Sequence, residues 1–133
     1  MQYKHYSEVP ASVWRWKNFT AKEIACKGYD SIVINEHALD ILQKAREDAG
    51  VPFVINSGYR SILHNNAIGG VAGSRHLNGS AFDVSTNGQS ANHILEALMA
   101  AGFTGIGLYD TFIHADTGKT RTWNHRSNKI LLG

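Results

Sequence analysis

Between Ser74 and Asp83 the chain reads Ser-Arg-His-Leu-Asn-Gly-Ser-Ala-Phe-Asp, an imidazole and a carboxylate separated by a glycine turn. Zinc takes nitrogen, sulfur and carboxylate ligands in a tetrahedron, and a catalytic site keeps one position for water beside three protein ligands. His76 before the turn and Asp83 on the segment after it can fold towards one point. Ser80 to Ser85 alternates, with Phe82 and Val84 on one side and Ala81, Asp83 and Ser85 on the other, so Asp83 faces away from the apolar side. A carboxylate inside so short a strand is costly without a partner, and a metal ion would be one. The third ligand must come from elsewhere. Phe112-Ile113-His114-Ala115-Asp116 is the best source, because in an extended strand His114 and Asp116 project from the same face.

The elements that must position these groups are legible from periodicity and punctuation. Thr20 to Ala25 carries a capping box, Thr20 with Glu23, and starts a short helix. From Asn35 to Ala49, residues Ala38, Leu39, Ile41, Leu42 and Ala45 follow helical spacing until Gly50 and Pro52 stop the run. Val51 to Ile55 is short and β-branched, which predicts a buried strand delivering the chain to Ser57-Gly58-Tyr59-Arg60-Ser61. A loop or short helix follows, ending at Gly69-Gly70. Ala91 to Ala101 is helical by the spacing of Ile94, Leu95, Leu98 and Met99 and ends at Gly102. Gly105 to Leu108 and Thr111 to Ala115 read as two strands joined at Tyr109-Asp110. The fold class expected is α+β, a small antiparallel sheet with helices packed on one side.

Composition bounds the function classes. At 133 residues the chain fits one domain, residues 1–133, and its net charge of +2 is spread along the sequence. No basic cluster of the kind that nucleic-acid affinity needs is present, so no nucleic-acid partner is expected. The single cysteine, Cys26, rules out an intramolecular disulfide and reads as a buried small apolar residue. The N-terminal stretch lacks the apolar h-region of a secretory signal, and nothing approaches a membrane span of about 20 apolar residues. The expectation is a cytoplasmic product as synthesised, a monomer without membrane insertion. The glycines at 69, 70 and 73 are not a phosphate loop, because no Gly-Lys-Ser/Thr ending follows. They read as a flexible rim.

The chain resembles the M15 peptidases, the D-Ala-D-Ala carboxypeptidase-like metallopeptidases, and in particular their small branch of bacteria and phage lysins. The residues that carry the resemblance are Phe19-Thr20, Glu23, Ala25-Cys26, Ser57-Gly58-Tyr59-Arg60-Ser61, His64-Asn65, Gly69-Gly70, Ser74, His76, Gly79, Ala81, Asp83, His114, Asp116 and Trp123, spanning about residues 19 to 123. The resemblance implies a hedgehog/D,D-peptidase-like fold, one zinc ion on His76, Asp83 and His114, and a substrate-side role for Arg60. The related hedgehog signalling domain shares the fold without being known for peptidase work, so fold alone does not establish catalysis. The implied function is cleavage of a stem-peptide amide bond of peptidoglycan, as a D,D-carboxypeptidase, D,D-endopeptidase or L-Ala-D-Glu endopeptidase. The missing secretory signal suits a phage or prophage endolysin released to the cell wall through a holin lesion. The alternative is a non-catalytic zinc domain with a binding or assembly role.

Around the metal, a guanidinium fork at Arg60 suits capture of a stem-peptide carboxylate, with Ser57 positioning the same group. His64 is a candidate support for Arg60 or the metal shell, or a plain packing residue. Trp14, Trp16, Tyr59 and Trp123 read as core rather than as sugar platforms. The better-known family members carry Glu or Asp three positions before the last histidine ligand, where this chain has Thr111, a group unable to take a proton usefully at neutral pH. Asp116 is the first choice for the general base. Asp110 is the alternative, and a third reading has Asp116 only hydrogen-bonding a ligand.

Overall fold

Asn35 starts the longest helix, α2 (Glu36–Ala49), by accepting the Ala38 N–H, and Gly50 ends it in the left-handed conformation that glycine adopts without strain. Its inward face is Ala38, Leu39, Leu42, Ala45 and Ala49, all buried. That face packs on α4 (Ala91–Ala101), capped by Ser90, which brings Ile94, Ala97 and Leu98 to the same core. His93 ties the pair together by donating from Nε2 to the Ala49 carbonyl at 2.7 Å. A capping box at Thr20 opens the short α1 (Ala21–Ile24), as expected. In this computed structural model residues 1–127 are described, and no helix among them is long and apolar enough to cross a membrane.

Five strands form the sheet that carries the site: β3 (Ile55–Ser57), β4 (Ala81–Ser85), β5 (Gly105–Leu108), β6 (Phe112–Asp116) and β7 (Arg121–Asn124), in the order β3-β4-β6-β5-β7. One face, with Phe82, Val84, Ile106, Ile113 and Ala115, joins the helices in the hydrophobic core. The other presents Asp83 and His114, paired across β4 and β6. A further pair, β1 (Gln2–Tyr3) with β2 (Ile32–Val33), lies outside this sheet.

The fold is α+β as expected, with two corrections. The strand expected over Val51 to Ile55 begins only at Ile55; upstream, Phe53 is buried while Pro52 and Val54 are exposed, and Pro52 has no N–H to give a ladder. The sheet is also not wholly antiparallel. After β6 the chain hops over the start of β5 and returns as β7, parallel to β5, with Gly105 opposite Arg121 and Gly107 opposite Trp123. Strand β7 carries no alternating apolar pattern, because Arg121 and Trp123 lie over β5 on the face of the site while Thr122 is exposed, and periodicity alone did not announce it.

Candidate metal centre

His76 sits in a single 3-10 turn, Arg75–Asn78, between β3 and β4. Ser74 caps the turn and Gly79 closes it at φ 75°, where an added Cβ would also lie 2.8 Å from the Val33 carbonyl oxygen. A side chain at 79 would therefore be both strained and obstructed. The chain reverses there and enters β4, which sets Asp83 beneath the His76 ring. Strand β6 brings His114 beside Asp83 by register, residue against residue. The ligand atoms of His76, Asp83 and His114 all lie within 4.8 Å of one another.

The hydrogen bonds behind the two imidazoles decide what they present in front. His76 Nδ1 lies 2.7 Å from the Gly58 carbonyl oxygen and donates to it, so Nε2 keeps its lone pair; that Nε2 faces Asp83 Oδ1 at 3.2 Å. His114 Nε2 lies 2.6 Å from Asp116 Oδ2 and donates to it, so Nδ1 keeps its lone pair and faces the same Oδ1 at 3.1 Å. Three acceptors thus converge on one point with no donor between them. Such a cluster repels itself unless a cation sits at the centre, and two imidazoles with a carboxylate are a donor set that zinc accepts. The residues present fit a zinc ion.

In the metal-free site these groups also shift one another's protonation. Burial pushes the Asp83 carboxyl up, but its contacts with His114 and His76 outweigh burial and hold it well below the usual carboxylate range. Burial likewise pulls the His114 imidazole down, and Asp116 and Asp83 reverse this to a net rise. Asp83 Oδ2 accepts from the Arg60 guanidinium at 3.2 Å.

A second layer supports His114 from behind. Asp116 is fully buried, and besides His114 it accepts from both terminal nitrogens of Arg121, at 2.9 and 2.7 Å, and from the Gly118 N–H at 2.9 Å. This crossing of β5 is possible because β5 places glycines there. A Cβ at Gly105 would lie 2.1 Å from Asp116 Oδ1, and one at Gly107 would lie 2.3 Å from Cε2 of the Trp123 ring. Trp123 in turn lies against His114, ring centroids 5.1 Å apart. Gly107→Ala is therefore expected to dislodge Trp123 and lower the melting temperature by several degrees, an overpacking cost of about 1–3 kcal/mol. Thermal unfolding checks this, and an unchanged midpoint would show that the ring moves aside freely.

Each residue singled out in the sequence has a definite place. Arg60 is at the site, but its three nitrogens donate to Ser57 Oγ, Asn65 Oδ1 and Asp83 Oδ2. Its fork is turned to the protein, and Ser57 supports it from β3. Asp116 does not approach the convergence point from the strand face, because His114's own ring lies between, and its oxygens are spent on His114, Arg121 and Gly118; this counts against a general base there. Asp110 is exposed on the β5–β6 turn, where both its oxygens bind Ser127. His64 packs on Gly28 and beside Tyr29 and does not line the cleft, because its face of α3 (Ile62–Ala67) turns to that loop. Cys26, Trp16 and Tyr59 are buried, as expected. Trp123 lines the cleft as well as packing.

Asn65 carried part of the resemblance without a role; its buried amide accepts from Arg60 and donates to the Val71 carbonyl at 2.9 Å, clamping the glycine rim to the site. The Gly105-Ile-Gly107 and Arg121-Thr-Trp123 spacings, both of period two, were the available signal for the layer behind His114. The cleft over the metal site has a volume of about 320 Å³ and is walled by Arg60, the 69–75 rim, Tyr109, Phe112, Arg121 and Trp123.

The Peptidase M15 family model matches residues 17–116, which include all three ligand candidates and Arg60. The chain belongs to the M15 peptidases. The zinc D-Ala-D-Ala carboxypeptidase of Streptomyces albus G is 32% identical over 89 residues, 62% of this chain and 35% of that protein. This M15 chain thus spans about a third of the length of that curated relative. Strand β7, with Arg121 and Trp123, lies beyond the matched segment of the M15 domain.

Proposed function

We propose that this domain is a zinc-dependent peptidase acting on a stem-peptide amide bond of peptidoglycan, with His76 Nε2, Asp83 Oδ1 and His114 Nδ1 as the zinc ligands. The observation that carries the reading is the convergence of three acceptors whose donors are all engaged elsewhere. Family membership supports peptidase chemistry, and the relative's D-Ala-D-Ala specificity supports the substrate class. Zinc bound there would supply a Lewis acid for the scissile carbonyl and for an attacking water. Around it, Gly58 and Asp116 hold the two imidazoles in the ligating tautomer, and Arg60 orients Asp83 by donating to its Oδ2. Tyr109, Phe112 and Trp123 give the cleft an apolar wall that limits access of bulk water.

One observation favours a second reading, a non-catalytic zinc domain of the same fold: among the described residues, the only carboxylate lining the cleft is Asp83 itself. A single assay separates the two. Zinc-loaded protein is incubated with purified sacculi and with an acetylated peptide ending in D-Ala-D-Ala, and released ends are identified by mass spectrometry. The expected result is hydrolysis that stops on chelation and returns with zinc. Stoichiometric zinc without release from any wall type would establish the non-catalytic reading.

A further inference from the structure

Three arginines line the cleft, and two of them are matched by carboxylates: Arg60 by Asp83 at 3.2 Å and Arg121 by Asp116 at 2.7 Å. Arg75 has no ion pair and no side-chain hydrogen bond among the described residues, and it is exposed at the cleft wall. It is not loosely held. Its backbone is fixed in the turn that carries His76, where its carbonyl accepts from the Ser80 N–H at 3.2 Å and from Ser80 Oγ at 3.2 Å. Its guanidinium lies against Gly118, so close that a Cβ there would be 2.6 Å from Nε.

We infer that Arg75 is the residue that binds the free C-terminal carboxylate of the peptide substrate, a role that rests on the peptidase reading above. Arg75 lines the same cleft as His76, Asp83 and His114, so a peptide held over the three ligand candidates runs along the wall that carries this guanidinium. Arg60 spends three of its five N–H donors on Ser57, Asn65 and Asp83, whereas the Arg75 guanidinium spends none among the described residues. A planar fork with no internal partner, in a cleft made more positive by a divalent ion, is built for bidentate capture of a carboxylate. The domain so equipped favours removal of a C-terminal residue over cleavage inside a cross-linked chain.

The test compares zinc-loaded wild type and Arg75→Ala on an acetylated peptide ending in D-Ala-D-Ala and on its C-terminal amide. Zinc content is measured on both proteins. Wild type is expected to prefer the free acid, and Arg75→Ala to lower the acid-to-amide ratio of kcat/KM by about tenfold or more, chiefly through KM for the acid. Arg75→Lys should restore only part of the ratio, because an ammonium lacks the fork. An acid-to-amide ratio that is the same in wild type and Arg75→Ala overturns the assignment. If wild type hydrolyses neither peptide, release from sacculi decides the peptidase reading, and calorimetric binding of the same two peptides to the zinc-loaded protein decides Arg75. Preferential binding of the acid that the substitution abolishes supports the role, and equal binding of both peptides removes it.

Discussion

Replacing His76, Asp83 or His114 with alanine is expected to strip the protein of zinc and of all peptidase activity. In the proposed site each residue supplies one of three ligand atoms, and the loss of one would leave a two-ligand site open to water. The fall in zinc affinity should exceed the about 10–100-fold that losing an outer hydrogen-bond partner costs. The three variants differ in what else they disturb. His76→Ala leaves a cavity and frees the Gly58 carbonyl, whereas Asp83→Ala leaves the Arg60 guanidinium, only 14% exposed, without its carboxylate. Asp83→Asn keeps the volume while removing the charge, and separates loss of metal from loss of packing. Zinc content after dialysis, read beside the circular dichroism spectrum, checks this. Full zinc in all three alanine variants would mean that the ion sits elsewhere.

The second large effect is expected from Asp116→Asn. The carboxylate accepts the His114 Nε2 proton, and an asparagine that turns its NH2 to His114 asks Nε2 to accept instead. The proton then moves to Nδ1, the atom that faces Asp83 and would hold the metal. Zinc affinity should fall about 10–100-fold, the usual effect of an outer partner on a ligating histidine. The two roles weighed for Asp116 part here. A residue that positions His114 gives a variant whose turnover returns to near wild type once zinc is raised to saturation. A general base gives one that stays about 100-fold or more slower at equal zinc occupancy. Stopped turnover measured against free zinc, with occupancy determined in parallel, distinguishes them; a persistent deficit at full occupancy would restore Asp116 to the chemistry. Asp110→Asn, altering an exposed turn, should leave zinc affinity as it is.

The meeting of His76, Asp83 and His114 was legible because its signals are local. A glycine that ends a turn between His76 and Asp83, and a strand that alternates around Asp83, fix both groups within ten residues of sequence. His114 was legible by the same period-two reasoning on β6. What lies behind the trio was not, because it is assembled across strands. Arg121 reaches Asp116 over Gly105, and Trp123 reaches His114 over Gly107, only because β7 joins the sheet parallel to β5. Two glycines in a strand weaken it locally, and their spacing acquires meaning only beside a partner strand. Asp116 shows the limit most clearly: sharing a strand face with His114 placed it near the metal in sequence terms, yet the imidazole itself stands between them. Arg60 carries a similar lesson. Its type suited substrate capture, but Ser57, Asn65 and Asp83 occupy its nitrogens, and that depends on the fold of α3 and the rim. The helices α2 and α4 were the easiest elements, since both have side-chain caps and an uninterrupted apolar stripe.

The most direct test of the metal centre is anomalous scattering from crystals of the zinc-loaded protein, with data on both sides of the zinc absorption edge. The account expects one strong peak per chain, bonded to His76 Nε2, Asp83 Oδ1 and His114 Nδ1 at about 2.0–2.2 Å, and absent below the edge. A peak bonded to His114 through Nε2, or one placed away from these three residues, would contradict it.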